Sequence, residues 1–222
     1  MIRRLKVRWP DADAFEKHPD GSIRLLAVSD DVDPVLENSA TRESLGRIDL
    51  IVGCGDLEPD YLAFLGDAFV APLAYVRGNH DHGAAWADHA DHVPEPLPDG
   101  VPFRENGLRL CGLNWPERRG DAGQRDEATA WRQAAGAVVR TLADRGGPLL
   151  MVSHAPPHGA GDVAEDPFHA GFAAYRWLAR RLRPPLWLHG HTPVAATRDW
   201  SCSVGQTTYL NVTGAALVEL QR

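Results

Sequence analysis

The sequence has few cysteines, no long apolar stretch and no excess of basic residues. Three cysteines in 222 residues are too few, and odd in number, for a disulfide framework, so Cys54 and Cys111, which lie in apolar runs, are expected to be small buried residues. No stretch approaches the ~20 apolar residues of a membrane-spanning helix, and the first residues lack the apolar run of a signal peptide. We therefore expect a cytoplasmic protein that does not act at a membrane.

The charge balance is acidic. Twenty-three Lys and Arg against 30 Asp and Glu give a net charge of −7, and the isoelectric point is near 5.8. Proteins that neutralise a phosphate backbone usually carry the opposite balance, so polymeric nucleic acid is not expected as a partner, although short nucleic-acid substrates stay open. Composition does not indicate an oligomeric state.

Short apolar runs alternate with helical patterns along most of the chain. Strands are predicted at residues 23–29, 50–53, 72–76, 108–113, 149–153 and 186–188. The recurrence of apolar residues at helical spacing predicts helices at residues 58–69, 126–145 and 171–183. Residues 207–220 are predicted to form two adjacent strands that break near Gly214. The alternation of strand and helix favours α/β architecture.

The first residues differ from the rest of the chain. Residues 1–22 mix both signs of charge with proline and glycine, and they precede the first strongly apolar run. This pattern predicts an N-terminal accessory arm or hairpin over residues 1–22. The remaining residues, 23–222, are predicted to form one domain, because α/β enzymes often use such a length for a single core.

Almost every predicted strand is followed immediately by a polar residue that can bind a metal. Each one alone is typical of a turn or a helix cap. Together they suggest a common site, because ligands of α/β sheets gather at the carboxyl ends of strands. Eight of the ten histidines also fall in or near three segments, which suggests metal binding. The residues at the strand ends are Asp30, Asp56, Asn79, His80, His154 and His191.

In order, these motifs resemble those of the calcineurin-like metallophosphoesterases, whose pattern is Asp-x-His, Gly-Asp, Gly-Asn-His-Asp/Glu, His and Gly-His-x-His. The resemblance spans about residues 23–220, and Gly-Asn-His-Asp at residues 78–81 is its most specific element. It implies an α/β fold of two packed β-sheets flanked by helices, an αββα sandwich. It also implies a site for one or two divalent transition metal ions, such as Mn, Fe or Zn, that hydrolyses phosphoesters.

The resemblance implies two ligand sets, and only one of them is complete here. One ion would take Asp56, Asn79, His154 and His191. The other would take Asp30 and Asp56, together with two histidines that are replaced by Val32 and Pro193. Valine and proline side chains have no lone pair to offer, so this second position is expected to be weak, absent or differently built. The neighbours considered as replacements for the missing ligands are Asp31, Asp33, Glu58, His82 and His189.

Two of these neighbours have a simpler expected role. Strand alternation points Asp31 and Asp33 away from Asp30, so we expect them to cap the helix that follows.

His80 is implied by the resemblance to contact the phosphate or the leaving-group oxygen, with Asp81 orienting its ring. The long loop after His154 is predicted to form a rim over the site. Candidate substrate contacts are Arg77, His158 and His169.

Two functions therefore remain open. The first is a metal-dependent phosphoesterase that acts on a small phosphoester, which could be a phosphomonoester, a cyclic nucleotide or another phosphodiester. The second is a protein of the same fold that has weakened catalysis and serves as a binding or scaffold module. The depleted ligand set favours the second function, whereas the complete set and the His80-Asp81 pair favour the first.

Overall fold

Strands and helices alternate through the part of the chain that the computed structural model describes, residues 2–144, 146–196 and 199–222. The strands are β1 (Arg3–Arg8), β2 (Ser22–Ser29), β3 (Leu50–Gly53), β4 (Leu73–Tyr75), β5 (Pro102–Glu105), β6 (Leu108–Leu113), β7 (Glu117–Arg118), β8 (Asp121–Arg125), β9 (Leu150–Ser153), β10 (Leu186–His189), β11 (Ser201–Val204), β12 (Thr207–Asn211) and β13 (Gly214–Gln221). The α-helices are α1 (Ser39–Leu45), α2 (Pro59–Phe69), α3 (Ala84–Ala87), α4 (Glu127–Asp144) and α5 (Ala173–Leu182). The predicted end of one helix at Arg145 lies outside the described residues.

Two large sheets face each other. The first has the strand order β1-β13-β2-β3-β4 and the second β11-β12-β10-β9-β6-β5, while β7 and β8 form a small separate ribbon. In the first sheet β2, β3 and β4 run parallel, and in the second β6, β9, β10 and β12 do. The predicted αββα arrangement of two packed sheets flanked by helices is confirmed.

Alternate side chains of the central strands point to opposite faces of the sheet, and so they pack in two different hydrophobic cores. Leu25 and Ala27 of β2 belong to the core between the two sheets, whereas Leu26 and Val28 pack in the outer core beneath α1 and α2. A third core joins the outer face of the second sheet to α4 and α5. Strands buried on both faces are expected to be continuously apolar, and β3, β9 and β10 have every residue buried.

The N-terminal segment is part of the first sheet. Strand β1 pairs in parallel with β13, and Trp9 and Phe15 are buried in the core between the sheets. Of the two predicted forms, an accessory arm or a hairpin, the described residues do not form a hairpin of their own, because the alternating sequence RRLKVR makes a half-buried strand that pairs within the first sheet. A domain boundary after residue 22 stays a prediction.

The two C-terminal strands lie in different sheets. Strand β12 pairs with β10 in the second sheet, whereas β13 pairs with β2 in the first. The break near Gly214 is present, but the strands on either side of it are not neighbours. Thr213 joins the two sheets and pairs with Ser29, which places it beside Asp30. None of the helices in the described ranges has both the length and the apolar character needed to cross a membrane.

Candidate metal centre

The carboxyl ends of strands from both sheets open into one cleft. Asp30 follows β2, Asp56 follows β3, and His191 follows β10. The cleft has a volume of about 850 Å³. Its described lining consists of Arg3, Asp30, Asp31, Asp56, Asn79, His80, His169, His191, Pro193, Val194, Ala195 and Thr213.

Three of the residues at these strand ends have a left-handed backbone. The φ angles of Asp30, Asp56 and His191 are 60°, 56° and 67°. Such angles cost a non-glycine residue about 1–3 kcal/mol and persist only where the surroundings enforce them. Here the backbone N–H of His191 donates to Asp30 Oδ2 at 2.9 Å and that of Asp56 to Asp81 Oδ2 at 2.8 Å. Strain that is concentrated at three converging residues is typical of a functional site.

Four polar atoms meet beneath the cleft. The Nε2 atom of His154 lies 3.1 Å from Asp56 Oδ2, 3.0 Å from Asn79 Oδ1 and 3.2 Å from His191 Nδ1. The ligand atoms of Asp56, His154 and His191 all lie within 4.8 Å of one another. Neighbouring ligands of an ion bound at ~2.1 Å are separated by about 3.0–3.4 Å. We call these four residues the intact half of the cleft.

The two imidazoles of the intact half are held in the orientation that metal binding requires. His154 Nδ1 lies 2.8 Å from the Cys54 carbonyl, and His191 Nε2 lies 2.7 Å from the Phe168 carbonyl. A carbonyl only accepts, so these nitrogens carry the hydrogen and the opposite nitrogens face each other. Trp115 packs against both rings, with centroid distances of 5.8 Å and 4.8 Å. One carboxylate, one amide and two imidazoles suit Mn, Fe or Zn, so the residues fit the implied ion.

The charges within the intact half are coupled. Burial lowers the pKa of His154, but the hydrogen bond to Asp56 and the charges of Asp30 and Asp56 outweigh burial and raise it to about 9. Burial and the positive charge of His154 lower the pKa of His191 to about 4. Burial raises the pKa of Asp56, yet its hydrogen bond and charge interaction with His154 lower it overall. A metal ion at this position would compete with protonation of His154, because metal ligands bind in their deprotonated form.

The opposite side of the cleft contains Asp30, Pro193 and Thr213. We call these residues the depleted half, together with Val32, which follows Asp30 by two positions and lies outside the described lining. Asp30 Oδ2 accepts hydrogen bonds from His191 N at 2.9 Å and from Thr213 Oγ1 at 3.1 Å. Val32 is 46% exposed, and Pro193 is also exposed. Among the described residues Asp30 belongs to no group of three metal-binding side chains. The residues present do not fit a second ion.

The proposed substitutes do not complete the depleted half. Asp33 accepts a hydrogen bond from Val35 N and caps the following turn, which agrees with the simpler expectation for it. Asp31 is exposed in the cleft, and Glu58 and His82 are exposed outside its lining. His189 is fully buried, and burial lowers its pKa to about 4.

The structure places His80 as predicted at the cleft but assigns Asp81 a different role. His80 is exposed, and its backbone N–H donates to Asp56 Oδ1 at 2.8 Å. Asp81 is buried and accepts from Asp56 N, Gly78 N and Trp86 Nε1 at 2.7–3.0 Å. The expectation that Asp81 orients the His80 ring is wrong, because the turn directs the carboxylate inward to the nearest N–H groups. Asp81 instead positions the backbone that carries Asp56.

Only one of the three candidate substrate contacts lies in the cleft. His169 does, with its ring 5.3 Å from that of His191. Arg77 lies outside the cleft lining, with its guanidinium 4.3 Å from the centroid of the Trp86 ring, and its contact with substrate stays a prediction. His158 lies 3.1 Å from Asp162 and lines a separate hollow beside α5, and its contact with substrate also stays a prediction.

Sequence reasoning missed two polar residues of the cleft lining. Arg3 reaches it from β1 and Thr213 from the link between β12 and β13. Neither belongs to a recognised motif. The alternation in β1 predicts a half-buried strand, but it does not indicate which sheet edge that strand joins.

A second group of metal-binding side chains lies on the outer surface. Asp60 pairs with His89 at 3.1 Å and with His92 at 2.6 Å, and all three side chains are exposed. This group lines no part of the cleft. Measurements of metal content at the cleft therefore need to account for it.

The fold and the site define an α/β protein with a metal-ligand set at the strand ends of two facing sheets. The model of the calcineurin-like phosphoesterase family matches residues 29–195, and the chain belongs to this family. This confirms the resemblance seen in the motifs. No curated protein matches the sequence.

Solved structures share the fold at low identity. One superposes with a TM-score of 0.63 at 14% identity, covering 89% of this chain and 95% of the other. A dimetal phosphatase from Danio rerio superposes with a TM-score of 0.54 at 13% identity, covering 86% and 87% of the two chains. Vacuolar protein sorting 29 from Cryptosporidium parvum gives a TM-score of 0.46 at 14% identity, covering 91% and 87%. At these identities the first two superpositions show a shared fold and do not establish a shared activity.

Proposed function

We propose that this protein is a metal-dependent phosphoesterase that hydrolyses a small phosphoester with one divalent transition ion in the intact half of the cleft. The observation that carries the proposal is the convergence of Asp56, His154 and His191 within 4.8 Å, with the two imidazoles oriented by backbone carbonyls. Family membership supports hydrolysis of phosphoesters as the reaction class. Mn, Fe and Zn are the proposed ions.

Each residue of the intact half has a defined task in this proposal. When bound, a divalent ion polarises a phosphoryl oxygen and makes a water molecule acidic enough to attack phosphorus. Asp56, Asn79, His154 and His191 would hold the ion. The Cys54 and Phe168 carbonyls fix the two rings, and the His80 backbone N–H fixes the Asp56 carboxylate. These contacts are present before substrate binds, so little reorganisation is needed during the reaction.

His80 is the proposed proton donor to the leaving oxygen. Its ring lies exposed in the cleft and makes no hydrogen bond to another side chain among the described residues. A ring that makes no hydrogen bond to a carboxylate side chain is free to approach substrate. His80 is thus proposed to act alone, without the support from Asp81 that the sequence suggests.

The alternative is a binding or scaffold module with weakened catalysis. The depleted half favours it, because Asp30 is engaged by Thr213 and His191 N, and Val32 and Pro193 offer no ligand. The Danio rerio relative, by contrast, is described as a dimetal phosphatase. The two functions differ in whether metal-loaded protein turns over phosphoesters.

Hydrolysis of model substrates tests the proposal. Protein stripped with a chelator and reloaded with Mn, Fe or Zn is assayed against p-nitrophenyl phosphate and bis-p-nitrophenyl phosphate. We expect turnover that is lost on chelation and restored by one equivalent of metal, and the preferred substrate identifies monoesters or diesters as the class. Stoichiometric metal without turnover of either substrate would support the scaffold function instead. A cytoplasmic location and the absence of a nucleic-acid partner stay predictions.

A further inference from the structure

Strand β1 brings one guanidinium group into the depleted half of the cleft. Arg3, the first residue of β1, lines the cleft together with Asp30 and Thr213. Burial alternates along β1, so that Arg3 is half-buried while Arg4 is exposed. Arg3 lies outside the residues 29–195 that match the family. Its presence in the cleft is thus a feature of this chain that the family motifs do not supply.

The guanidinium of Arg3 is held in place on two sides. It donates to the Asn211 carbonyl at 2.9 Å and to the Thr213 carbonyl, and it lies over the Trp200 ring at 5.1 Å from the centroid. A guanidinium has five N–H donors, so these two hydrogen bonds leave three for a ligand. A fixed planar group with free donors suits the oxygens of a phosphoryl group, which it can bind in a bidentate manner.

The charge of the cleft requires such a group. Asp30, Asp31 and Asp56 line it, and Arg3 is the only Lys or Arg in its described lining. One divalent ion in the intact half offsets two of the three carboxylate charges, and Arg3 offsets the third. Without Arg3, an anionic phosphoester would enter a cleft of net negative charge. Thr213 Oγ1 also donates to one oxygen of Asp30 in the same half of the cleft.

We propose that Arg3 binds the non-bridging phosphoryl oxygens of the substrate in the depleted half, and so supplies the positive charge that a second ion would supply in a two-ion site. This proposal rests on the proposed function, because it assumes a phosphoester substrate. It assigns Arg3 as a substrate-binding residue. It also accounts for a phosphoesterase cleft in which Val32 and Pro193 stand where the family has two histidine ligands.

Binding of inorganic phosphate tests this role without turnover. Isothermal titration calorimetry measures the Kd of phosphate for metal-loaded wild type, Arg3→Met, Arg3→Gln and the matched control Arg4→Met. We expect Arg3→Met and Arg3→Gln to weaken phosphate binding by about tenfold to 100-fold, the effect of losing a charged hydrogen-bonding partner. Arg4→Met, whose side chain is exposed on the same strand, should bind phosphate as wild type does.

The two Arg3 variants distinguish the loss of a positive charge from a loss of folded structure. Arg3→Gln keeps an amide that can donate to the Asn211 carbonyl, so it remains informative if Arg3→Met does not fold. Metal content should stay at wild-type level in both variants, and the dependence of the phosphate Kd on salt should become shallower, which a purely structural role would not cause. Phosphate affinity equal to that of Arg4→Met in a folded Arg3 variant, or no phosphate binding by metal-loaded wild type, would overturn the proposal. Phosphate binding that depends on Arg3 in a protein without turnover would support this proposal while refuting the proposed function.

Discussion

The intact and depleted halves of the cleft lie at equivalent strand ends but differ in how their polar groups are satisfied. In the intact half, His154 and His191 each direct one nitrogen to a backbone carbonyl and the other to the shared position beside Asp56. In the depleted half, Asp30 is satisfied by Thr213 and a backbone N–H. The comparison shows that a metal site needs groups that orient its ligands as well as the ligands themselves. Only the intact half has both.

Removing the buried imidazole should produce the largest effect. His154→Ala is expected to abolish metal binding in the cleft, because Nε2 of this ring lies within 3.2 Å of all three other ligand atoms. Elemental analysis after gel filtration measures the bound ion. His92→Ala is the matched control, since it affects only the surface group and should leave the cleft ion in place. Full retention of the cleft ion in His154→Ala would show that the intact half is not the binding site.

Introducing two histidines should give the depleted half of the cleft a ligand set that binds a metal ion, as the intact half does. The double variant Val32→His/Pro193→His, made in a His92→Ala background, is expected to raise metal content from about one ion towards two. Each single change should gain less than half of this, because ligands of one ion act together. Some loss of stability is expected as well, since histidine is bulkier than valine and proline restrains its turn. A folded double variant with unchanged metal content would mean that Thr213 and Arg3, and not two side chains alone, define the depleted half.

Turnover should depend on His80 more than metal binding does. His80→Ala is expected to lower kcat about 100-fold or more, the usual contribution of a positioned acid or base. Metal content and Tm should remain near those of wild type, because the ring is exposed and only the backbone N–H contacts Asp56. Steady-state kinetics with metal-loaded protein measures the effect. Unchanged kcat in this variant would refute the proton-donor role.

The smallest of these effects is expected when the hydrogen bonds that Asp81 accepts near Asp56 are weakened. Asp81→Asn should destabilise the protein by about 2–3 kcal/mol, because an amide in place of the carboxylate weakens three charge-assisted hydrogen bonds in a buried position. Urea unfolding measures the change, with the exposed Asp31→Asn as the control. Wild-type stability in Asp81→Asn would contradict the role assigned to its carboxylate. A stable variant with reduced turnover would instead restore the idea that Asp81 orients His80.

Much of the fold was predictable because local patterns decide it. The apolar runs of β3, β9 and β10 are buried on both faces, and such strands are visible in a sequence without knowledge of their partners. The pairing of β1 with β13 and the separation of β12 from β13 were not predictable, because they depend on contacts between residues more than 200 positions apart or across a single break.

The candidate site was predictable to the extent that it lies in motifs. Asp56, Asn79, His154 and His191 converge because each follows a strand. The inward orientation of Asp81 was not predictable, since it depends on Trp86 and on the backbone of Gly78. The position of Arg3 in the cleft was not predictable either, because it depends on which sheet edge β1 joins.

The central claim is that the cleft holds one ion, in the intact half. Anomalous diffraction from crystals of the metal-loaded protein, recorded at the absorption edge of the bound metal, tests it most directly. We expect one peak in the cleft, between His154 Nε2, His191 Nδ1, Asp56 and Asn79, and none beside Asp30. A peak beside Asp30 and away from His154, or two peaks of equal height, would contradict the account.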